Sequence, residues 1–465
     1  MNKLFHSSAD RTRAYDLLVN AAKKNCEEKS KIKLNFKKIK KNFFSIKFIY
    51  FFICTILTLK IFNLQKFVLL KYRGCNVGIH ASAETFRDIK VFRSKFFLFY
   101  KLVKNLLIGG LVIDSGYNAV KKSEGLFIND LGYINGLLFK IFAKNRKIIY
   151  FIGYPRGFSN IDFNLKRNLK FDELSKLKII PKKKTDTANP KSSGKFIKSI
   201  IENTNMIKWM EKTKFPKFTK EKKILEKNLA KIDYVIYAHS FVDGQLWWGY
   251  DGFVNLYDWL VYTIDYLLKK NKKILLKGHP NFYNHKMFKQ LSAQDREILE
   301  KIIKMYKGNK NFFYINFAVE NKFIMKNIKK KTILISHHGT SLLEGSYLGF
   351  KSISSVSNFY SNKFSISNTW NSKKKYKKLL DKNYNNLIFN KQKVKMSLEQ
   401  ISEQVFGSKY NVYGKFYWQR LVSKYLNIKL NLKKNDHYLY SKLKNHNTKR
   451  KIINILSKNI EEVTF

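Results

Sequence analysis

Three short polar stretches hold most of the side chains able to do chemistry: HSFVDGQ at 239–245, GHPN at 278–281 and SHHGTS at 336–341. They supply four imidazoles (His239, His279, His337 and His338), the Asp243 carboxylate, and the hydroxyls of Ser336, Thr340 and Ser341. Imidazoles near neutral pH can protonate or neutralise a departing group. Backbone N–H groups of Gly339, Thr340 and Ser341 would lie at a helix N-terminus, where the dipole favours an anionic phosphate. The inventory suits a nucleotide mono- or diphosphate held while a group linked through it is transferred.

Each residue also has a plainer role. An isolated histidine is often structural, but His279 directly precedes Pro280, one of five prolines in the chain, at the end of a strand; that placement favours function. Asp243, before Gly244, is a candidate base or a turn residue. Glu344 falls one turn into the helix after SHHGTS, where it either supports the helix N-terminus or contacts a ribose. His337 and His338 are adjacent, so one would face the site and the other the core. Trp247, Trp248, Tyr250, Phe253 and Trp259 ordinarily pack a core, and a stacking platform for a sugar or base is the other reading.

Missing motifs narrow the chemistry. No D-x-D occurs, so the usual carboxylate pair for a sugar-nucleotide metal is lacking. No CxxC or HExxH suggests zinc. The absence of GxGxxG and GxxxxGK[ST] disfavours a dinucleotide oxidoreductase and a P-loop NTPase. What remains is metal-independent transfer from an activated, phosphate-linked donor, with no cofactor.

These loops need a frame, and each follows an apolar run of strand length: DYVIYA (233–238), KILLK (273–277) and TILIS (332–336). NFFYINF and KSISS add two more, and helical spacing fills the gaps at 253–268, 286–305 and 317–329. Strands alternating with helices predict a parallel, doubly wound sheet whose strand ends gather the three loops at one crevice. Residues 66–229 predict a first α/β domain with strands in LLIGGLVIDS, GLFIND and KIIYFIGYP and a helix in LGYINGLLFKIFAKN. Its strand ends carry Asp130, Tyr154, Arg156 and Gly157. Residues 181–195, rich in Lys, Pro, Ser and Gly, form a linker, and helices over 196–229 lead to the second domain at 230–396. The expected fold is thus α/β, two Rossmann-like domains with parallel doubly wound sheets facing a central cleft. A basic, then apolar arm (1–65) and a basic helical tail (397–465) extend it.

The net charge of +58 points to an anionic partner. Only 11 of the 91 basic residues are Arg, however, and Lys, Asn, Ile and Phe are abundant, as an A/T-rich coding sequence produces. Nucleic-acid readers rely on Arg for bidentate contacts, so no specific nucleic-acid partner is expected. Within the arm, FIYFFICTILTL (48–59) falls short of the ~20 residues that span a bilayer. Following the lysine cluster of 31–41, it is either an interfacial anchor or a buried helix. Three cysteines without metal spacing imply a reducing compartment.

The three loops resemble stretches of the capsule polysaccharide biosynthesis family, bacterial glycosyltransferases of the two-Rossmann-domain (GT-B) type. LLKGHPN is similar to that family's strand followed by His-Pro, and ISHHGTSLLEGSYLGFKSI to its G-[ST]-x-x-x-E-x-x-x-x-G donor motif. HSFVDGQ is similar to its Asp-bearing loop, and loosely to the acidic-Gly motif of bacterial polysialyltransferases, although one acid precedes Gly244 where that motif has two. The resemblance covers about 230–360; in the N-terminal half only the pattern matches. It implies that His279 contacts the donor phosphate and stabilises the departing nucleotide. Ser336, Gly339, Thr340 and Ser341 would cradle the phosphate, Glu344 would hold the ribose, and His239, Pro280 and His338 would join the substrate site. Asp243 would be the base on the acceptor hydroxyl.

The implied activity moves a sugar from a nucleotide-sugar donor to a growing capsule, another surface polysaccharide or a lipid-linked glycan. It would take place in the cytoplasm, peripherally on the inner membrane. Three alternatives remain: a CDP-polyol phosphotransferase of teichoic-acid type, a sugar-nucleotide epimerase of the same fold, and a non-catalytic basic membrane-binding protein.

Overall fold

The computed structural model describes residues 2–6, 34–38, 45–58, 60–123, 125–128, 133–145, 148–151, 220–242, 246, 249–279, 282, 289–315, 317, 319–358 and 364–401. They form two parallel α/β sheets, as expected of a GT-B arrangement.

The N-terminal sheet holds β1 (Asn2–His6), β2 (Leu34–Lys38), β3 (Gly125–Ile128) and β4 (Ile148–Phe151) in the order β2-β1-β3-β4. All its pairs are parallel. Strands β1 and β2 come from the segment expected to be an arm, and they pair into this sheet. Helices α1 (Ile46–Leu57), α2 (Val77–Thr85) and α3 (Lys95–Lys121) share a core with α4 (Gly136–Lys144), which packs on β3 and β4.

LLIGGLVIDS, expected as a strand, lies inside α3. The Ser94 side chain caps that helix by accepting the Phe97 N–H at 3.3 Å. A continuous apolar run does not distinguish a buried strand from a buried helix, and the two glycines decide how closely neighbours approach. A Cβ on Gly110 would meet the Phe48 ring of α1 at 2.1 Å, and one on Gly109 would meet Val77 of α2 at 2.8 Å. By length and composition α3 could cross a membrane. Of its residues, Leu102, Leu106, Val112 and Ile113 are buried in the core that α1, α2 and α4 share. At its far end the buried Asp114 carboxylate accepts from Tyr72 Oη (2.9 Å), Arg73 (3.0 Å) and the Ser45 N–H (2.9 Å). That cluster fixes the start of α1.

The C-terminal sheet contains β5 (Tyr234–Tyr237), β6 (Ile274–Lys277), β7 (Phe312–Ile315), β8 (Ile333–Ser336), β9 (Ser352–Ser355) and β10 (Asn368–Trp370). Every strand is parallel to its neighbours, in the order β7-β6-β5-β8-β9-β10. The chain therefore runs outwards from β5 to β7, returns, and runs outwards on the other side from β8. This is the 3-2-1-4-5-6 order whose reversal opens a crevice between the first and fourth strands, here β5 and β8.

One face of the sheet (Ile236, Leu276, Ile335, Ile353) packs on α5 (Leu256–Lys269), which buries Leu256, Trp259, Leu260, Thr263, Ile264 and Leu267 at helical spacing. The Asn255 side chain caps α5 by accepting the Asp258 N–H at 2.7 Å. Lys289–Tyr306 (α6) also packs on this face through Ile298, Leu299 and Ile302. On the other face Val235, Leu275 and Leu334 meet Ile324 and Met325 of α7 (Asn321–Asn327) and Leu342 of α8 (Ser341–Tyr347). The halves touch through Ile89, buried in the second core, and through Arg93, which donates two hydrogen bonds to Glu297. From the expected tail only the end of the helix Lys391–Ile401 is described.

Candidate active site

Parallel pairing sets the three loops level. Tyr237 is in register with both Lys277 and Ser336, so β5, β6 and β8 end side by side. His239, His279 and His338 follow those ends by two residues each, and the structure brings them together. The His239 ring centroid lies 3.8 Å from that of His338 and 5.7 Å from that of His279. The crevice at the topological switch is thus lined by imidazoles from three separate loops.

The β8 loop is built to hold its shape. Ser336 is 2% exposed, and its hydroxyl bridges Tyr237 O (3.2 Å) and His338 O (3.0 Å), pinning the turn to β5. Gly339 adopts φ +135°, a conformation that side chains with a Cβ rarely take. Thr340 starts α8, and its carbonyl accepts the N–H groups of Leu343 (2.9 Å) and Glu344 (3.3 Å). Earlier N–H groups of a helix have no intrahelical acceptor, and here they belong to the Gly339–Ser341 turn.

Behind this turn lies a second constellation that the sequence did not disclose. His337 faces inward, as the His-His pair led us to expect of one member, and its Nε2 sits 2.9 Å from Oδ2 of Asp251. Asp251 is 2% exposed and also accepts from the Ser355 hydroxyl and from the Phe253 N–H at 3.3 Å. Burial raises the Asp251 carboxyl, but His337, Ser355 and Phe253 outweigh it and hold the group below the ordinary carboxylate range. The indoles of Trp259 and Trp370 meet the His337 ring edge-on at 5.5 and 5.8 Å. His337 Nδ1 in turn lies 2.9 Å from His338 Nδ1. Asp251 sits in a bend between polar loops, 86 residues before His337, so only the fold shows their connection.

Glu344 is buried as well. Its carboxylate accepts from Asn321 Nδ2 at 3.0 Å, and burial pushes it up to about 7 against the opposing pull of Asn321 and Lys277. Burial also brings Lys277, at the end of β6, down to about 8, with Glu344 acting the other way. Tyr237 Oη, buried nearby, is raised by burial and by Glu344. Trp259 and Phe253 belong to the core, whereas Trp247 and Trp248 lie outside the described residues. Asp243 and Pro280 also lie outside them, as do Asp130, Tyr154, Arg156 and Gly157. Among the described residues no cluster of His, Cys, Asp or Glu could hold a metal ion.

No family model and no curated protein matches this chain. Among solved structures, the UDP-GlcNAc 2-epimerase of Methanocaldococcus jannaschii in complex with UDP-GlcNAc and UDP is 12% identical. That match covers 86% of this chain and 99% of the other, with a TM-score of 0.28. Anabaena Alr3699/HepE in complex with UDP-glucose is 10% identical, over 92% of this chain and 100% of that one, with a TM-score of 0.29. The trehalose-6-phosphate synthase OtsA is 11% identical, again over 92% and 100%, with a TM-score of 0.26.

Proposed function

We propose that this protein is a glycosyltransferase that moves a sugar from a nucleotide-sugar donor to a capsule, another surface polysaccharide or a lipid-linked glycan, without a metal or cofactor. The observation that carries the reading is the convergence of His239, His279 and His338 at the β5–β8 switch point, beside the Gly339–Ser341 turn. Open α/β sheets bind ligands there. The turn supplies N–H groups and hydroxyls to the donor diphosphate or monophosphate, and His279 neutralises charge on the nucleotide as it leaves. Ser336 acts by holding the turn rather than by touching phosphate, since it is buried and already bonded on both sides. Glu344 already accepts one bond from Asn321 and keeps acceptor capacity for a ribose hydroxyl.

The protein would work on the cytoplasmic side of the inner membrane. Helix α1 exposes Ile46, Ile49, Tyr50, Ile53 and Leu57, a stripe along one side, while burying Phe48 and Thr55. No acidic residue occurs from 29 to 83, so the segment that carries this stripe is basic.

A panel of CMP-, UDP-, GDP- and CDP-linked donors tests the reading by thermal shift, because a ligand that binds only the native state raises Tm. One class should stabilise the wild type, and His279→Ala should abolish transfer while leaving the unliganded Tm unchanged. A phosphodiester product with CMP released, or interconversion of a free sugar nucleotide without an acceptor, would overturn it.

A further inference from the structure

The tautomers of His337 and His338 follow from the contacts around them. An ionised carboxylate only accepts hydrogen bonds, so the Asp251–His337 contact of 2.9 Å requires a proton on His337 Nε2. In a neutral His337 ring Nδ1 is then a bare acceptor. The 2.9 Å contact between the two Nδ1 atoms therefore needs its proton on His338. That leaves His338 Nε2 with an unshared pair. His338 is the outer member of the chain, partly exposed and against His239, whereas Asp251 and His337 are walled in by Trp259 and Trp370.

We propose that Asp251, His337 and His338 form a proton relay in which Asp251 and His337 are positioning residues and His338 Nε2 is the base that takes the proton from the acceptor hydroxyl. This rests on the transferase reading and deepens it, giving His338 the role that the family resemblance gave to Asp243. In the step, the acceptor oxygen bonds to the anomeric carbon as its proton passes to His338 Nε2. The Nδ1 proton of His338 moves to His337 Nδ1. The bond from sugar to phosphate oxygen breaks, and its electron pair leaves with the nucleotide. Positive charge thus ends on His337, in contact with the Asp251 carboxylate, instead of on His338 beside two other imidazoles.

Such a transfer answers a specific difficulty. His338 faces His239 from the β5 loop, His279 from the β6 loop and His337 from its own, with Lys277 and Glu344 on the neighbouring strand and helix. Burial and the other three imidazoles hold His338 well below the ordinary histidine range. A lone imidazole so placed would be a poor base. A relay to a ring stabilised by a carboxylate removes the charge from that setting.

The experiment has two arms on the full chain. In histidine-labelled wild type, long-range proton–nitrogen correlation spectra above the histidine titration range should show His338 protonated at Nδ1 and His337 at Nε2. His338 protonated at Nε2 would overturn the relay whether or not a substrate has been found. In the second arm, Asp251→Asn offers His337 Nε2 a donor and reverses both tautomers without removing bulk. With the donor and acceptor found for the wild type, kcat should fall roughly 10²–10⁴-fold while the donor KM changes less than about threefold. The acidic limb of the pH–rate profile should move to lower pH. Unchanged kcat and profile in a folded Asp251→Asn would overturn the proposal. A wild type that binds no nucleotide sugar would overturn the transferase reading instead, and leave the tautomer measurement to decide the relay geometry.

Discussion

His239 and His338 place their ring centroids 3.8 Å apart across the seam where β5 and β8 lie side by side. Two imidazoles this close resist double protonation, and burial with the neighbouring rings keeps His338 neutral well below its usual value of 6.5. The effect on stability has a definite sign. In the unfolded chain His338 gains a proton as the pH falls through about 6.5, whereas the folded protein refuses it, so acidification weakens the native state. Relative to the wild type, His338→Gln should gain stability as the pH falls from about 7 to about 5. A Tm difference that stays constant over that range would show that His338 is not held neutral by its surroundings.

Lys277 at the end of β6 and Glu344 on α8 work in another sense. Glu344 is raised from 4.5 to about 7 in the folded protein, a shift worth roughly 3 kcal/mol between its two protonation states. Because the folded value is the higher one, its contribution is fully present below about 4.5 and is lost as the pH rises through about 7. Lys277 is lowered from 10.5 to about 8, so its contribution is fully present above about 10.5 and is lost as the pH falls through about 8. Relative to the wild type, Glu344→Gln should gain stability as the pH rises from about 5 to about 7, the opposite direction to His338→Gln, and leave the alkaline side to Lys277. The Tm difference between the two proteins across that range measures it, and a difference that does not grow with pH would place the raised acid elsewhere.

What could be read from the sequence follows from the range of the interactions involved. DYVIYA, KILLK and TILIS are strands because short apolar runs flanked by turn residues are buried on both faces of a parallel sheet, and their loops had to meet at one edge. β10, three residues of NTW, is too short to carry a period. LLIGGLVIDS reads as a strand because its apolar content is continuous, whereas it lies in α3, whose helical register shows in what Gly109 and Gly110 admit from α1 and α2. Asp251 had no local signature. Its neighbours in space, His337 and Ser355, arrive from β8 and β9, so its meaning depended on the whole sheet. The Ser336 hydroxyl reaches Tyr237 O on β5 and His338 O, a bracing contact across strands that no local pattern shows.

Helix α1 gives the remaining prediction. Ile46 is 85% and Leu57 74% exposed, and Ile49, Tyr50 and Ile53 continue the same stripe at i+3, i+4 and i+7 from Ile46. Phe62, stacked on Phe99 at 4.8 Å, and Phe96 add exposed rings nearby. An apolar stripe on a basic segment favours an anionic bilayer, where the side chains enter the acyl boundary and the lysines stay among the headgroups. The full-length protein should sediment with vesicles containing phosphatidylglycerol and bind neutral vesicles far less, with binding weakening as salt is added. Ile49→Glu with Ile53→Glu should release it from anionic vesicles without lowering Tm, since both side chains are exposed and neither belongs to the core of the N-terminal half. Retention of the double variant on the vesicles would remove α1 from the membrane-binding surface. Release accompanied by a drop in Tm would show instead that the stripe supports the fold.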